Sequence, residues 1–304
     1  MTDAIALFTD GADWHAARLA RAIERRGVEC RRVSLNACGF AVGRTATGLH
    51  LPGFGDALPL GAFVRVVGQG SFEQVTLRLG VLHALDRLGV PVYNGARAIE
   101  RCVDKSTTSF LLAQAGIPTP PAVAVQTADA ARAAVEEWPD CVLKPLFGAQ
   151  GRGLRRLSRP DEVPEPEAMA GVYYLQPFVP PLREGAWRDC RVFVVGGVAV
   201  AAMIRHGRSW ITNVHQGARC EPFRPDGVVA DLAVRAAAVV GADYAGVDLI
   251  AAPERDSDSG WLVLEVNSMP AWQGLQTVSD TDIAGCLADD FLRRVGAAAL
   301  VRPQ

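Results

Sequence analysis

The sequence predicts an α/β and α+β protein in three parts: an N-terminal doubly wound parallel-sheet domain, a small central α+β domain and a C-terminal α+β domain. Three observations carry this. Strand-like and helix-like stretches alternate with short connections up to Asn94. After Pro118, Pro120 and Pro121 the strands become short and closely spaced. Near the end, two apolar strands each carry an acid, Ala245-Gly246-Val247-Asp248-Leu249-Ile250 and Trp261-Leu262-Val263-Leu264-Glu265-Val266-Asn267. The boundaries are placed at 1–96, 97–179 and 180–304.

Taken in order, Ile5–Phe8 is a short apolar strand and Asp13–Arg26 a helix stopped by Gly27. Val28–Leu35 and Ala62–Val67 are strands. Ser71–Leu88 is a helix with Ser71 as N-cap and Gly89 as stop, and Pro91–Asn94 is the next strand. Such alternation implies a parallel sheet. Asp104–Gly116 is a helix closed by the proline cluster. The central part holds strands at Val123–Gln126, Cys141–Leu146, Leu154–Ser158 and Tyr173–Phe178, with a helix at Asp129–Trp138. Strands Arg191–Val195, Val198–Ile204 and Trp210–Val214 read as an antiparallel meander. Helix Val228–Gly241, the two acid-bearing strands and helix Asp280–Arg294 complete the chain, and its last four residues read as frayed.

At 304 residues the chain buries a substantial core. A net charge of −2 with interspersed signs excludes a nucleic-acid or polybasic membrane footprint. The start has no basic segment leading into an apolar one, so no signal peptide is expected. The seven cysteines form no C-x-x-C pair, which argues for reduced thiols in a cytoplasmic protein. Cys141 is expected to be a small core residue. The five histidines show no metal-ligand spacing.

The acids come first in the chemistry. Side chains alternate along a strand, so Glu265 and Asn267 share one face while Leu264 and Val266 take the other. A carboxylate in an apolar run needs compensation. Asp248, Glu265 and Asn267 are oxygen ligands suited to a hard cation such as magnesium. The second feature is Lys144, at the end of an apolar strand, followed by a loop with Gly148, Gly151 and Gly153. Glycines let backbone N–H groups approach an anion, and lysine adds a point charge for phosphate. No G-K-[ST] closes the loop, and a strand rather than a helix follows it. A flap over a triphosphate fits, as does an ordinary hairpin with a solvated lysine. Lys105 opens a helix, where anions are favoured.

Strand Val172–Val179 offers a backbone edge for a nucleobase. Asp189 suits a ribose or the orientation of Arg191, and Arg205 suits a phosphoryl group or an oxyanion. Arg65, Gly68 and Gln69 lie between a strand and a helix, at the sheet edge where open α/β folds bind ligands, and Arg65 could pair with an acceptor carboxylate.

The segments Asp104-Lys105, Lys144–Gly153, Gln176–Val179, Asp189-x-Arg191, Asn213, Ala245–Asp248 and Glu265–Asn267 resemble, in order and spacing, the ATP-grasp ligases of the ribosomal-protein-S6-modification-like glutamate ligase family. Val81–His83 to Asn94, Lys144–Gly148, Trp210–Asn213 and Glu265–Trp272 are similar to the tetrahydromethanopterin:α-L-glutamate ligase branch. The resemblance implies an ATP-grasp fold with ATP between the central and C-terminal domains. Lys105 and Lys144 would contact phosphates, Gln176, Pro177, Phe178 and Val179 the adenine, and Asp189 the ribose. Asn213 would lie near the phosphates, and Asp248, Glu265 and Asn267 would hold two Mg2+ or Mn2+ ions.

Two positions depart from the pattern. Pro177 stands where relatives carry glutamate, and it removes an N–H. That leaves the Gln176 carbonyl and the Phe178 N–H to recognise adenine. Ile211 stands where the S6-modifying branch has arginine, which weakens an S6-type acceptor. The expected activity is addition of L-glutamate to a small-molecule carboxylate through an acyl phosphate, on a pterin or furan cofactor precursor, by a homo-oligomer (dimer or tetramer). Arg205 and Lys144 are the expected catalytic residues, with Arg65, Gly68, Gln69 and Arg191 toward the substrate. The competing readings are another ATP-grasp peptide or glutathione-type ligase and a non-catalytic nucleotide-binding regulator.

Overall fold

A computed structural model describes residues 2–11, 13–148, 150–225, 227–252, 257 and 259–301. Ala149 of the glycine loop and residues 302–304 of the tail lie outside the described residues.

The N-terminal unit is an all-parallel sheet. Its strands are β1 (Ala4–Phe8), β2 (Glu29–Val33), β5 (Ala62–Val64) and β6 (Val92–Tyr93), in the order β2-β1-β5-β6. A two-strand hairpin, β3 (Gly39–Phe40) and β4 (Leu49–His50), is inserted between β2 and β5. Helix α1 (Trp14–Glu24) starts because Asp13 accepts from the His15 and Ala16 amides. Helix α2 (Phe72–Arg87) starts at a reciprocal Ser71/Gln74 capping box.

Two helices follow, α3 (Ala96–Val103) and α4 (Lys105–Gln114). The sequence reading has only α4, because α3 begins at Gly95 without a side-chain cap. Both pack on the C-terminal unit rather than the central one. Cys102, Leu112 and Ile117 share a core with Val229, Leu232 and Val263. The central unit proper therefore begins beyond Ile117, later than the 97 expected. It is an antiparallel sheet of β7 (Val123–Val125), β8 (Cys141–Lys144), β9 (Arg155–Leu157) and β10 (Tyr173–Pro177), in the order β7-β10-β8-β9. Helix α5 (Ala128–Glu137) covers one face, and Cys141 is buried in that core.

The C-terminal unit is a five-stranded antiparallel sheet: β11 (Arg188–Val195), β12 (Val198–His206), β13 (Arg219–Phe223), β14 (Tyr244–Ala251) and β15 (Trp261–Asn267), in the order β13-β12-β11-β14-β15. Helices α6 (Gly227–Val240), α7 (Gln273–Gln276) and α8 (Ile283–Val301) pack against it. The strand expected at Trp210–Val214 is not one. The chain folds back so tightly there that a Cβ on Gly207 would lie 2.6 Å from the Ser209 carbonyl oxygen. The third meander strand is β13, which its proline and charges disguise, and it lies at the sheet edge where proline is tolerated.

The outer two units share one core. Ile5, Leu7, Phe63 and Tyr93 pack with Phe193, Tyr244, Trp272 and Phe291, and the Tyr93 and Tyr244 rings stack at 5.3 Å. Buried Asn94 joins them further, donating to the Tyr244 and Ser268 carbonyls and accepting from the Asp243 and Tyr244 amides. The central unit has its own smaller core.

Candidate active site

A cleft between the central and C-terminal units collects most of the expected residues. Lys105, Lys144, Gly148, Gly151, Gln176, Pro177, Phe178, Val179, Asp189, Arg205, Asn213, Asp248 and Glu265 all line it. The two acids are direct cross-strand partners, Asp248 on β14 opposite Glu265 on β15, which brings their side chains to one face. The next pair in register is Leu249 opposite Val263, so Leu264 is the extra residue of a β-bulge. The bulge corrects the simple alternation expected: Leu264 lines the cleft beside Glu265, while the core takes Val263 and Val266, three apart.

The lysines are held by neutral and acidic oxygens. Lys144 Nζ donates to Gln176 Oε1 at 2.6 Å. Burial lowers its pKa to about 8, against the pull of Glu265 and with a further push from Lys105. Lys105 follows the N-cap Asp104 and donates to the Gly148 carbonyl at 2.9 Å, with Glu265 Oε1 at 3.8 Å. Burial lowers its pKa as well, opposed by Glu265 and Asp104.

Behind the lysines is a buried charge network. Arg191 makes a bidentate pair with Asp248 at 2.6 Å and 2.6 Å. Arg205 makes a second fork on Asp189, at 2.7 Å and 2.5 Å, and reaches Asp248 at 3.0 Å. Thr212 also donates to Asp189, at 2.6 Å. Burial pushes the Asp248 carboxyl up, but Arg191 and Arg205 outweigh it and hold it below the usual carboxylate range. For Asp189 burial wins over Arg205 and the pKa is raised. Both groups expected to touch ligand here, Asp189 with a ribose and Arg205 with an oxyanion, are thus committed to each other.

Other placements differ from the expectation. The Phe178 N–H donates to the Asp140 carbonyl at 2.9 Å, so it is not available to a base edge. Gly153 packs on Pro145, and a Cβ there would meet its Cγ at 2.8 Å. Asn267 sits beyond the cleft lining, opposite Gly246, to whose carbonyl it donates at 3.3 Å. Arg65, Gly68 and Gln69 are at the carboxyl edge of the N-terminal sheet, outside this cleft. Arg65 is buried, with its guanidinium 4.7 Å from the centre of the Trp272 ring and donating to Tyr244 Oη at 3.4 Å.

Several lining residues are not singled out by the sequence. Trp187 and Trp210 stand edge-on to Phe178 at 6.2 Å and 6.1 Å, forming an aromatic wall. Lone tryptophans in loops carry no periodic signal, and Trp210 is read from the sequence only as the start of a strand and of the Trp210–Asn213 stretch of the resemblance, without a role in the site. Among the described residues no group of three or more His, Cys, Asp or Glu side chains could hold a metal. The carboxylates of Asp248 and Glu265 face each other across the strands, and the Asn267 amide lies two residues along β15 from Glu265.

Comparison with known proteins gives the family and the fold. The RimK-like ATP-grasp domain matches residues 102–291. A tetrahydromethanopterin:α-L-glutamate ligase of Methanococcus maripaludis is 37% identical over 76% of this chain and 78% of its own. One from Methanosarcina acetivorans is 32% identical over 88% and 91%. Among solved structures, the ATP-grasp ligase PsnB complexed with minimal precursor superposes with a TM-score of 0.74 at 23% identity, covering 96% of this chain and 100% of that one. A RimK domain protein from Sphaerobacter thermophilus gives 0.69 at 22% identity over 95% and 99%. The expected ATP-grasp architecture of a parallel sheet plus two antiparallel ones is therefore found. The match spans more than half of the chain, and the protein belongs to the RimK-like ATP-grasp family of ATP-dependent carboxylate–amine ligases.

Proposed function

We propose that this chain joins L-glutamate to a carboxylate of a small cofactor precursor, a pterin or furan of one-carbon metabolism, with release of ADP and phosphate. The observation that carries the reading is the convergence of Lys105, Lys144, Asp248 and Glu265 on one cleft. The names of the relatives support glutamate and a pterin acceptor.

A carboxylate is a poor electrophile, so one of its oxygens must become a leaving group. The γ-phosphoryl of ATP supplies it, and positioning with charge neutralisation does the catalytic work. In this reading Lys105 and Lys144 meet the phosphates. Trp187, Trp210 and Phe178 wall the base, while the Gln176 carbonyl and the Val179 amide, which replaces that of Phe178, meet its edge. Gly148 and Gly151 bring flap backbone over the phosphates, with Asn213 beside Gly151. Release of Asp189 from Arg205 would be needed for a ribose contact. Arg205 is better read as the brace of both acids than as the oxyanion donor. Arg191, paired with Asp248, and Arg65 with Gly68 and Gln69 remain the substrate-side candidates.

Glu265 fits a divalent cation, its ion pair with Lys105 being long at 3.8 Å, and Asn267 would offer its amide oxygen from two residues along β15. Asp248 carries two arginines, and both reach Oδ2, so Oδ1, which accepts from Arg191 Nε, is the oxygen that keeps lone-pair capacity for a cation. Mg2+ is the natural choice and Mn2+ or a second ion an extension; such ions would neutralise charge on the transferring phosphoryl. Seven free cysteines support a cytoplasmic setting, and no helix among the described residues is long and apolar enough to cross a membrane. Exposed Phe72 and Leu77 on α2, with Phe40 beside it, support a homo-oligomer.

The test is mass spectrometry of pterin and furan carboxylates incubated with enzyme, Mg·ATP and glutamate. Gain of a glutamyl residue matched by ADP release supports the reading. ADP release only with a different amine would overturn the choice of glutamate.

A further inference from the structure

The glycine flap touches the C-terminal unit through the segment that was expected to be a strand. Asn213 caps a short turn (Val214–Gln216) ended by Gly217 in the left-handed region, at φ 89°. That turn aims Gln216 at the flap backbone. Its Nε2 donates to the Gln150 carbonyl at 3.1 Å and to the Gly151 carbonyl at 2.9 Å. Arg152 Nη2 lies 3.3 Å from His215 Nε2.

Gly151 is seated so closely that any side chain there would collide. A Cβ would run into Asn213 Oδ1 and come within 2.9 Å of Ile211 Cγ2 and 3.0 Å of Gln216 Nε2, at a φ of +69° that disfavours non-glycine residues. Three consecutive flap residues are therefore gripped by one turn. Within that turn the Gln216 side chain donates to two adjacent flap carbonyls, as Lys105 does nearer the start of the flap at Leu146 and Gly148.

We propose that Gln216 is a positioning residue that clasps the flap backbone at Gln150 and Gly151 over the cleft. Resting on the ligase reading above, its task is to keep water from the acyl phosphate until the amine attacks. The two fates of that intermediate balance as follows. Attack by the amine nitrogen on the carbonyl carbon breaks the carbon–oxygen bond to phosphate, giving amide and phosphate, with the amine proton lost to solvent. Attack by water breaks the same bond and returns the free carboxylate and phosphate, wasting one ATP. A loose flap raises the second path relative to the first.

The test is Gln216→Leu, which removes the donor from an exposed side chain, beside Gln216→Arg, which retains a long donor. Two readouts are taken. One is the phosphate released in excess of amide, per amide formed. The other is tryptic cleavage after Arg152 in the presence of a non-hydrolysable ATP analogue, which requires no turnover. Loss of one net hydrogen bond shifts a closed flap toward open by about fivefold. Gln216→Leu should raise both readouts by about that factor, and Gln216→Arg should restore both toward wild type. If Gln216→Leu leaves cleavage unchanged there is no clasp, and if cleavage rises without uncoupling the protective role is overturned. If wild type forms no glutamyl amide while cleavage still rises in Gln216→Leu, the ligase reading falls and the clasp stands.

Discussion

Replacing Arg205 with methionine separates a brace from a reacting group. The Arg205 side chain is 3% exposed, and its partners Asp189 and Asp248 are 5% and 6% exposed. Breaking a buried pair by removing one partner costs about 3–5 kcal/mol, because a charge is left behind. The lower end applies here: Asp248 keeps its Arg191 fork, and Asp189 keeps the Thr212 hydroxyl and can protonate. About 3 kcal/mol at roughly 2 °C per kcal/mol for a chain of this size gives a Tm loss of about 6 °C. The pH dependence follows in sign. Without Arg205 the folded pKa of Asp189, already raised by burial, climbs further above its unfolded value. The folded state then binds the extra proton, so the deficit shrinks as pH falls toward the unfolded pKa and is largest above the folded one. Thermal melts of wild type and Arg205→Met from about pH 5 to about pH 8 read the sign of this dependence. A Tm within about 1 °C of wild type, together with the roughly 100- to 1,000-fold loss of kcat expected of an oxyanion donor, would refute the bracing argument.

Three further outcomes are expected. Glu265→Gln should lower kcat/KM for ATP by roughly 100-fold or more with little change in Tm, since its ion pair with Lys105 is long, at 3.8 Å; ADP release and a melt check it. Lys144, with a pKa brought down to about 8, should lose its proton in the free enzyme above about pH 8, so kcat/KM for ATP falls there and Lys144→Arg flattens that limb of the profile. Gly246→Ala should destabilise by about 2 kcal/mol, because the added Cβ would meet Pro270 Cβ at 2.7 Å; urea melts measure it.

The parts legible in the sequence are those governed by local rules. Caps at Asp13, Ser71 and Asp104 start their helices where the residues say they should. The acids of β14 and β15 could be paired on sight, because strand parity and an apolar context are local. What parity misses is the bulge at Leu264, which arises from pairing with β14 and leaves no mark in one strand's pattern. The edge strand β13 was hidden for a different reason. It needs apolar residues on one side only, and Pro222 with Arg219 and Glu221 makes it look like a loop. The partners of Asp189 and Arg205 were out of reach as well, since a charged residue does not announce which neighbour its fork will face across a sheet.

The core shared by the outer units fixes how the molecule can open. With Asn94 joining β6 to β14 and the Tyr93–Tyr244 stack behind it, the outer units behave as one anvil. The central unit, with a core of its own, hangs on two connections, one carrying Pro118, Pro120 and Pro121 and the other Pro180 and Pro181. Proline fixes φ, so these connections act as stiff struts rather than strings. Calorimetry should resolve a small early transition for the central unit, raised by nucleotide, ahead of a single larger one, and one merged peak without nucleotide would show that the struts do not separate the units. Stiff struts would confine a closing central unit to one path and return the flap to the same turn of the anvil.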